Sequence, residues 1–207
     1  MSTGLESAIT SIEMLAAADV GNARGRSDAG EERELVDAAR AGDARAFDLL
    51  VERHQRAIFR LCYRLAQNAE DAADLTQEAL LRAFRSIRSF RGESAFGTWL
   101  YRIALNTCRS FRSSRRPVHE ELTEGSAVST PDVTLRLERD ERARSVRDAV
   151  ARLPEKQRTT LVLKIYHEMT HEQIAELLGT SVGTAKANLF HALAGLRRML
   201  GQPGGTP

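Results

Sequence analysis

T-H-E-Q-I-A-E-L-L-G-T-S-V-G-T-A-K-A-N-L-F-H, residues Thr170–His191, reads as helix, tight turn and second helix. Thr170 is placed to cap the first helix, with Gln173 three residues on closing a capping box. Ile174, Ala175, Leu177 and Leu178 give that helix an apolar stripe, and Gly179 supplies the backbone freedom that ends it. Ser181 is a cap for the next helix. At about 100° per residue, Val182, Ala185, Leu189, Leu193, Leu196 and Leu200 share one face of it. Thr184, Ala187, His191 and Arg198 lie opposite, with Lys186 and Asn188 on the flanks. An apolar back and a short polar front suit a helix that enters a DNA major groove. An ordinary helical hairpin would show the same spacing, so the rest of the chain must decide.

Charge patterning favours the first reading. The net charge of +2 conceals alternating blocks. Residues 82–116 carry nine arginines against Glu93 alone, and residues 142–207 carry ten basic and five acidic side chains. Between them, residues 117–141 hold two arginines and seven acids. Two basic blocks split by an acidic one fit a protein that meets a polyanion at two places. A pair of solvated basic faces is the plainer alternative.

Hydrophobic content of 42% and charged content of 28% fit a globular chain of one or two small domains. No apolar run approaches the ~20 residues of a membrane span. No basic stretch followed by an apolar core opens the sequence, so no signal peptide is expected. Cys62 and Cys108 fall at apolar helical positions and read as buried free thiols, which makes the cytoplasm the expected compartment.

Residues 1–31 read as an extension without sustained periodicity, with a short helix around Ile9–Ala17. From about Glu32 the pattern is helical, with Phe47, Leu50, Val51, Ile58, Leu61, Cys62 and Leu65 inward. A further helix is expected over about 69–87, with Leu80, Ala83, Phe84 and Ile87 inward. Another is expected over about 95–114, with Leu100, Ile103, Ala104, Thr107, Cys108 and Phe111 inward. Residues 115–134 form a polar linker, helices resume from Leu135 to Leu200, and residues 201–207 are a tail. Pro154 marks the first turn of the helix carrying Leu161, Val162, Ile165 and Tyr166. No strand pattern survives, so the expected class is all-α, two small helical domains at 32–114 and 135–200.

Several residue groups carry candidate chemistry. Arg102, Asn106, Arg109, Ser113 and Arg116 lie along one ridge of their helix, with Arg112 alongside, a spacing suited to phosphates and base edges. Phe90, Phe96 and the loop between them are candidates to stack an extruded base, with Trp99 equally able to be core. Asp71, Asp74 and Glu78 share a helix face that is either solvated or a protein-docking surface. His167 and His171 form an H-E-x-x-H, but the helix start at Thr170 separates them and no third ligand follows, so no metal site is expected. No phosphate-binding glycine loop or nucleophile elbow occurs, so neither catalysis nor a cofactor is expected.

Taken together, D-L-T-Q-E at Asp74–Glu78, F-R-G-E-S-A-F-G-T-W-L-Y-R-I-A-L-N-T at Phe90–Thr107, L-P at Leu153–Pro154 and the helix-turn-helix resemble the extracytoplasmic-function branch of the bacterial sigma-70 family. The resemblance covers about Glu32–Leu200. It implies sigma regions 2 and 4, and partnership with core RNA polymerase, through its largest-subunit clamp helices and flap, and with promoter DNA. It implies an anti-sigma factor as a further partner and no small-molecule substrate. By the same resemblance, Asp74, Gln77 and Glu78 dock on the clamp helices. Phe90, Arg91, Phe96, Trp99, Arg102, Asn106, Arg109 and Arg112 serve the −10 element, and Thr184, Lys186, Asn188 and His191 serve the −35 element. Family recognition helices are often richer in arginine than this one. The rival from another class is a stand-alone helix-turn-helix repressor, which would need a dimerisation surface that nothing in the sequence supplies.

Overall fold

The computed structural model describes residues 28–114 and 133–201. The helix expected at Ile9–Ala17, Arg116 and the linker up to residue 132 lie outside the described residues. Those described form eight α-helices and a single 3-10 turn, with no strand among them. The helices are α1 (Asp28–Ala41), α2 (Ala44–Ala66), α3 (Ala69–Ser86), α4 (Phe96–Ser114), α5 (Val133–Ala151), α6 (Glu155–Ile165), α7 (His171–Leu178) and α8 (Val182–Leu200). The 3-10 turn, Ile87–Ser89, follows α3.

The breaks between helices follow local chemistry. The sequence reading ran α1 and α2 together. The structure divides them at Gly42, whose φ of 108° is open to glycine, and at Asp43, whose carboxylate accepts from the amides of Arg45 and Ala46. Asn68 caps α3 in the same way through Glu70 N and Asp71 N. At the helix-turn-helix the expected signals are all present. The Thr170 hydroxyl accepts from Gln173 N, and the Gln173 side chain accepts from Thr170 N at 2.8 Å. Gly179 ends α7 in the left-handed region at φ 63°, and Ser181 caps α8 through Thr184 N.

Helices α1 to α4 pack as a bundle around Leu50, Ile58, Leu61, Cys62, Ala79, Ala83, Leu100 and Ala104. The Cys62 and Cys108 sulfurs lie 3.7 Å apart as free buried thiols joining α2 to α4. A second, smaller core gathers Val146, Ala149, Val150, Leu161, Ala192 and Leu196 from α5, α6 and α8, with Leu153 from the turn between α5 and α6.

Helix α6 belongs to both cores. Six consecutive residues, Arg158–Leu163, are buried, so this helix has no solvent face along its middle. Leu161 points into the smaller core, while Val162 and Leu163 join the larger one beside Ile174, Ala175 and Leu177 of α7. The run R-T-T-L-V-L lacks amphipathic periodicity because two surfaces pack against it. None of the described helices is long and apolar enough to cross a membrane.

Two substitutions test this account by chemical denaturation. Leu163→Ala should cost about 2–5 kcal/mol, as for other fully buried leucines. Gly179→Ala meets no neighbouring atom yet must adopt a positive φ, so it should cost about 1 kcal/mol, with Gly179→Asn costing less.

Candidate nucleic-acid interface

Helix α4 presents the expected ridge. Arg102, Asn106 and Arg109 are exposed on it, opposite Leu100, Ala104, Thr107 and Cys108. Leu105, not foreseen as inward, is buried as well. Arg112 lies on the same helix, and its side chain is outside the described residues.

The aromatic loop differs from the expectation. Phe90 and Phe96 are 6% and 4% exposed, so their rings are core and present no stacking surface. Phe90 lies 4.9 Å from Trp99 and 6.2 Å from Phe96, and Phe96 lies 5.6 Å from Trp99, with Trp99 half-buried. The physical reason is closure of the loop: the three rings lock its two ends together. Its exposed part is the tip, including Arg91, Gly92 and Glu93, where Gly92 has φ 73° and Arg91 pairs with Glu93 at 3.7 Å.

On α3, Asp74 and Gln77 are exposed and Glu78 is half-buried and paired with Arg82 at 2.6 Å. Phe84 is 49% exposed, contrary to the inward placement expected of it. The core takes Ala72, Leu75, Ala79 and Ala83 instead. Ala73, Gln77, Leu80 and Phe84 form a second stripe beside that core face, lining an open groove of about 1120 Å³ between α2 and α3. Phe59 and Tyr63 of α2 and Leu81 complete its apolar lining, with Arg56, Arg60 and Arg64 along it. Phe84 keeps one edge against Phe47, at 5.1 Å. The stripe at i, i+4, i+7, i+11 was visible in the sequence but was absorbed into the core assignment.

On α8, Thr184, Lys186 and His191 are exposed, and Asn188 is half-buried on the flank. The Thr184 hydroxyl lies 2.9 Å from that of Ser181, tying it to the helix cap. The buried back of the helix is centred on Ala185, Ala192 and Leu196. Phe190, which the sequence reading passed over, is 69% exposed.

The matches with known proteins follow this geometry. Residues 50–117 match the sigma-70 region 2 family and residues 143–196 match sigma-70 region 4. The RNA polymerase sigma-H factor of Pseudomonas aeruginosa is 35% identical over 183 residues, covering 82% of this chain and 94% of that protein. The ECF RNA polymerase sigma-E factor of Haemophilus influenzae is 37% identical over 174 residues, covering 78% and 90%. This chain belongs to the extracytoplasmic-function branch of the sigma-70 family. Among solved structures, CnrH in complex with the cytosolic domain of CnrY superposes with a TM-score of 0.63 at 26% identity, over 83% of this chain and 97% of that one. The sigma factor is a recognition subunit rather than an enzyme.

Its region 2 and region 4 helices are packed against each other. The Tyr101 hydroxyl of α4 and His167 Nδ1, just beyond α6, share a 2.8 Å hydrogen bond. The Arg64 guanidinium sits 4.1 Å above the Tyr166 ring. Arg102 approaches the Glu176 carboxylate at 3.9 Å and its carbonyl at 3.4 Å, and Arg109 pairs with Glu155 at 3.4 Å. These two pairs are exposed and worth at most about 1 kcal/mol each, so the buried apolar contact dominates the association. The sequence offered no signal for this packing, since the hydrogen-bonded partners lie 46 to 74 residues apart and Arg64 and Tyr166 further still.

His167 makes the packing sensitive to acid. Burial, with help from Arg60 and Arg64, pulls its pKa down to about 4, while burial pushes Tyr101 up to about 12. His167 Nε2 has no hydrogen-bond partner among the described residues. A histidine with a depressed folded pKa contributes its full stability above the ordinary value near 6.5 and loses it as pH falls towards 4. Denaturant melts should therefore show a loss of at most about 3 kcal/mol across that window. His167→Gln should flatten the profile; an unchanged profile would mean His167 does not carry the effect.

Proposed function

We propose that this sigma factor lends promoter specificity to core RNA polymerase through three surfaces. The α3 face with Asp74, Gln77 and Glu78, and the apolar groove beside it carrying Leu80, Leu81 and Phe84, dock on the clamp helices of the largest subunit. Arg102, Asn106 and Arg109 hold −10 DNA, and the Arg91–Ala95 tip takes an unpaired base, with Phe90, Phe96 and Trp99 bracing it from beneath. Helix α8 enters the −35 major groove, where Thr184, Lys186 and His191 face the DNA, and Asn188 borders it. The observation that carries this reading is one chain presenting an exposed arginine ridge and a capped helix-turn-helix, in segments matching regions 2 and 4.

The packed arrangement accounts for dependence on core. Arg102 and Arg109 are engaged by Glu176 and Glu155 of region 4, so the −10 surface competes with an internal partner. Docking on core separates the two regions and spaces them for a promoter, converting two weak contacts into one linked event. The opening is driven by binding energy, with no nucleotide hydrolysis by this chain. An anti-sigma factor is the corresponding antagonist, by analogy with the sigma factor–anti-sigma complex of Bartonella quintana that shares this fold.

Run-off transcription with purified core polymerase tests the whole reading. Sequence-specific initiation with core, and weak promoter binding without it, is expected. Tight binding of a palindrome by a dimer without core would favour a repressor instead. Asp74→Lys with Glu78→Lys should weaken core binding about tenfold or more while leaving helicity unchanged. Phe84→Ser should do the same if the groove takes part.

A further inference from the structure

Cys62 of α2 and Cys108 of α4 are the two cysteines of the chain, and neither serves the docking or DNA surfaces described above. They lie 46 residues apart in sequence, yet the Cys108 thiol donates to the Cys62 sulfur at 3.7 Å. Both are thiols, at 0% and 4% exposure. The contact with Cys108 holds the Cys62 thiol below its ordinary pKa, against burial, which pushes it up, and Thr76 adds to the lowering. The thiolate is the reactive form of a cysteine, so Cys62 is the nucleophile of the pair.

Thr76 also relates the pair to solvent. Its hydroxyl donates to the Ala72 carbonyl at 2.7 Å, and its side chain interacts with Cys62. The same residue lines the open groove between α2 and α3. One side chain of α3 therefore connects the Cys62 sulfur with the groove. A small neutral oxidant needs a local opening there rather than unfolding of the bundle. The plainer alternative is a pair of small apolar groups packed in a core, which would leave both thiols inert.

We propose that Cys62 and Cys108 form a modification site, in which a peroxide entering from the groove past Thr76 converts them to an intrachain disulfide that lowers the activity of region 2. The Cys62 thiolate attacks the peroxide. An S–O bond forms as the O–O bond breaks, and the leaving hydroxide takes up the proton lost by Cys62 as water. The Cys108 sulfur then attacks the Cys62 sulfenic acid. The S–S bond forms as the S–O bond breaks, and the departing hydroxide leaves with the Cys108 proton as a second water. The two thiols lose two electrons and the peroxide gains them. A disulfide holds its sulfurs about 2.05 Å apart, well inside the present contact, so closing the bond draws α4 against α2. Helix α4 carries Arg102, Asn106 and Arg109 on its other face, and α2 walls the groove, so the bond alters the spacing between the DNA ridge and the docking surface.

The test treats the purified full chain with hydrogen peroxide, removes the excess with catalase and follows the thiols by alkylation and mass spectrometry. The thiol count should fall from two to none, with a Cys62–Cys108 linkage in a monomer that stays helical by circular dichroism. Run-off transcription after core polymerase is added should fall several-fold and return with dithiothreitol. Cys62→Ala and Cys108→Ala should each initiate as wild type does and resist peroxide. Cys62→Val, closer in volume, gives the same readout if alanine loosens the core. Core bound before the peroxide should protect the pair, an arm that rests on the groove being the clamp-helix dock. Oxidation at an undiminished rate within holoenzyme would overturn the route past Thr76. Two thiols surviving in the folded chain, a linkage between chains, or full initiation by the disulfide form would overturn the proposal. Failure of the untreated chain to initiate with core would remove the sigma reading instead, and the thiol count would stand apart from it.

Discussion

The burial of α6 on all sides is the constraint on which the rest of the structure depends. A helix with Arg158–Leu163 wholly out of solvent cannot sit at the edge of one small domain. It needs apolar surface on two flanks, and α8 with α5 supplies one while α2 and α7 supply the other. Even its arginine is held by this geometry, the Arg158 guanidinium donating to the Ala151 carbonyl at 3.2 Å. Because α6 joins both cores, it sets where α7 and α8 lie, and it brings Glu155, Tyr166 and His167 against α2 and α4.

That placement links packing to recognition. The side of α4 that carries Arg102 and Arg109 meets region 4 through exposed ion pairs, which are weak, while the apolar seam beneath them is strong. A partner that binds region 2 or region 4 more tightly in the separated state shifts the equilibrium by its differential affinity. The aromatic lock of Phe90, Phe96 and Trp99 works on a smaller scale, holding the loop tip in place by burying Phe90 and Phe96, the two rings that sequence reasoning offered for base stacking.

Exposed apolar side chains are the second theme. Phe84 stands beside the buried face of its helix, and Phe190 stands opposite the buried face of its own. In α3 the core takes the small residues Ala72, Ala79 and Ala83, so the helix packs closely on its neighbours and the larger Leu80 and Phe84 are displaced to the groove. In α8 the same substitution of small residues occurs, with Ala185 and Ala192 inward and Phe190 outward. Tight helix packing by alanine thus leaves large apolar groups at the surface.

Local structure was legible in the sequence because it is decided locally. The Thr170–Gln173 capping box, the Gly179 stop, the Ser181 cap and the exposed ridge of Arg102, Asn106 and Arg109 depend on residues within four positions of one another. The all-α class and the helix-turn-helix followed from those signals, and the motif string around Phe90–Thr107 was specific enough to indicate the family. Periodicity names a buried stripe, but it does not say whether a second stripe beside it is also covered. Only the tertiary structure decided that Phe84 is exposed, that Phe90 and Phe96 are core, and that Tyr101 meets His167. Those outcomes turn on which surfaces distant segments bring together, and pairings across 46 or 66 residues leave no mark in local spacing.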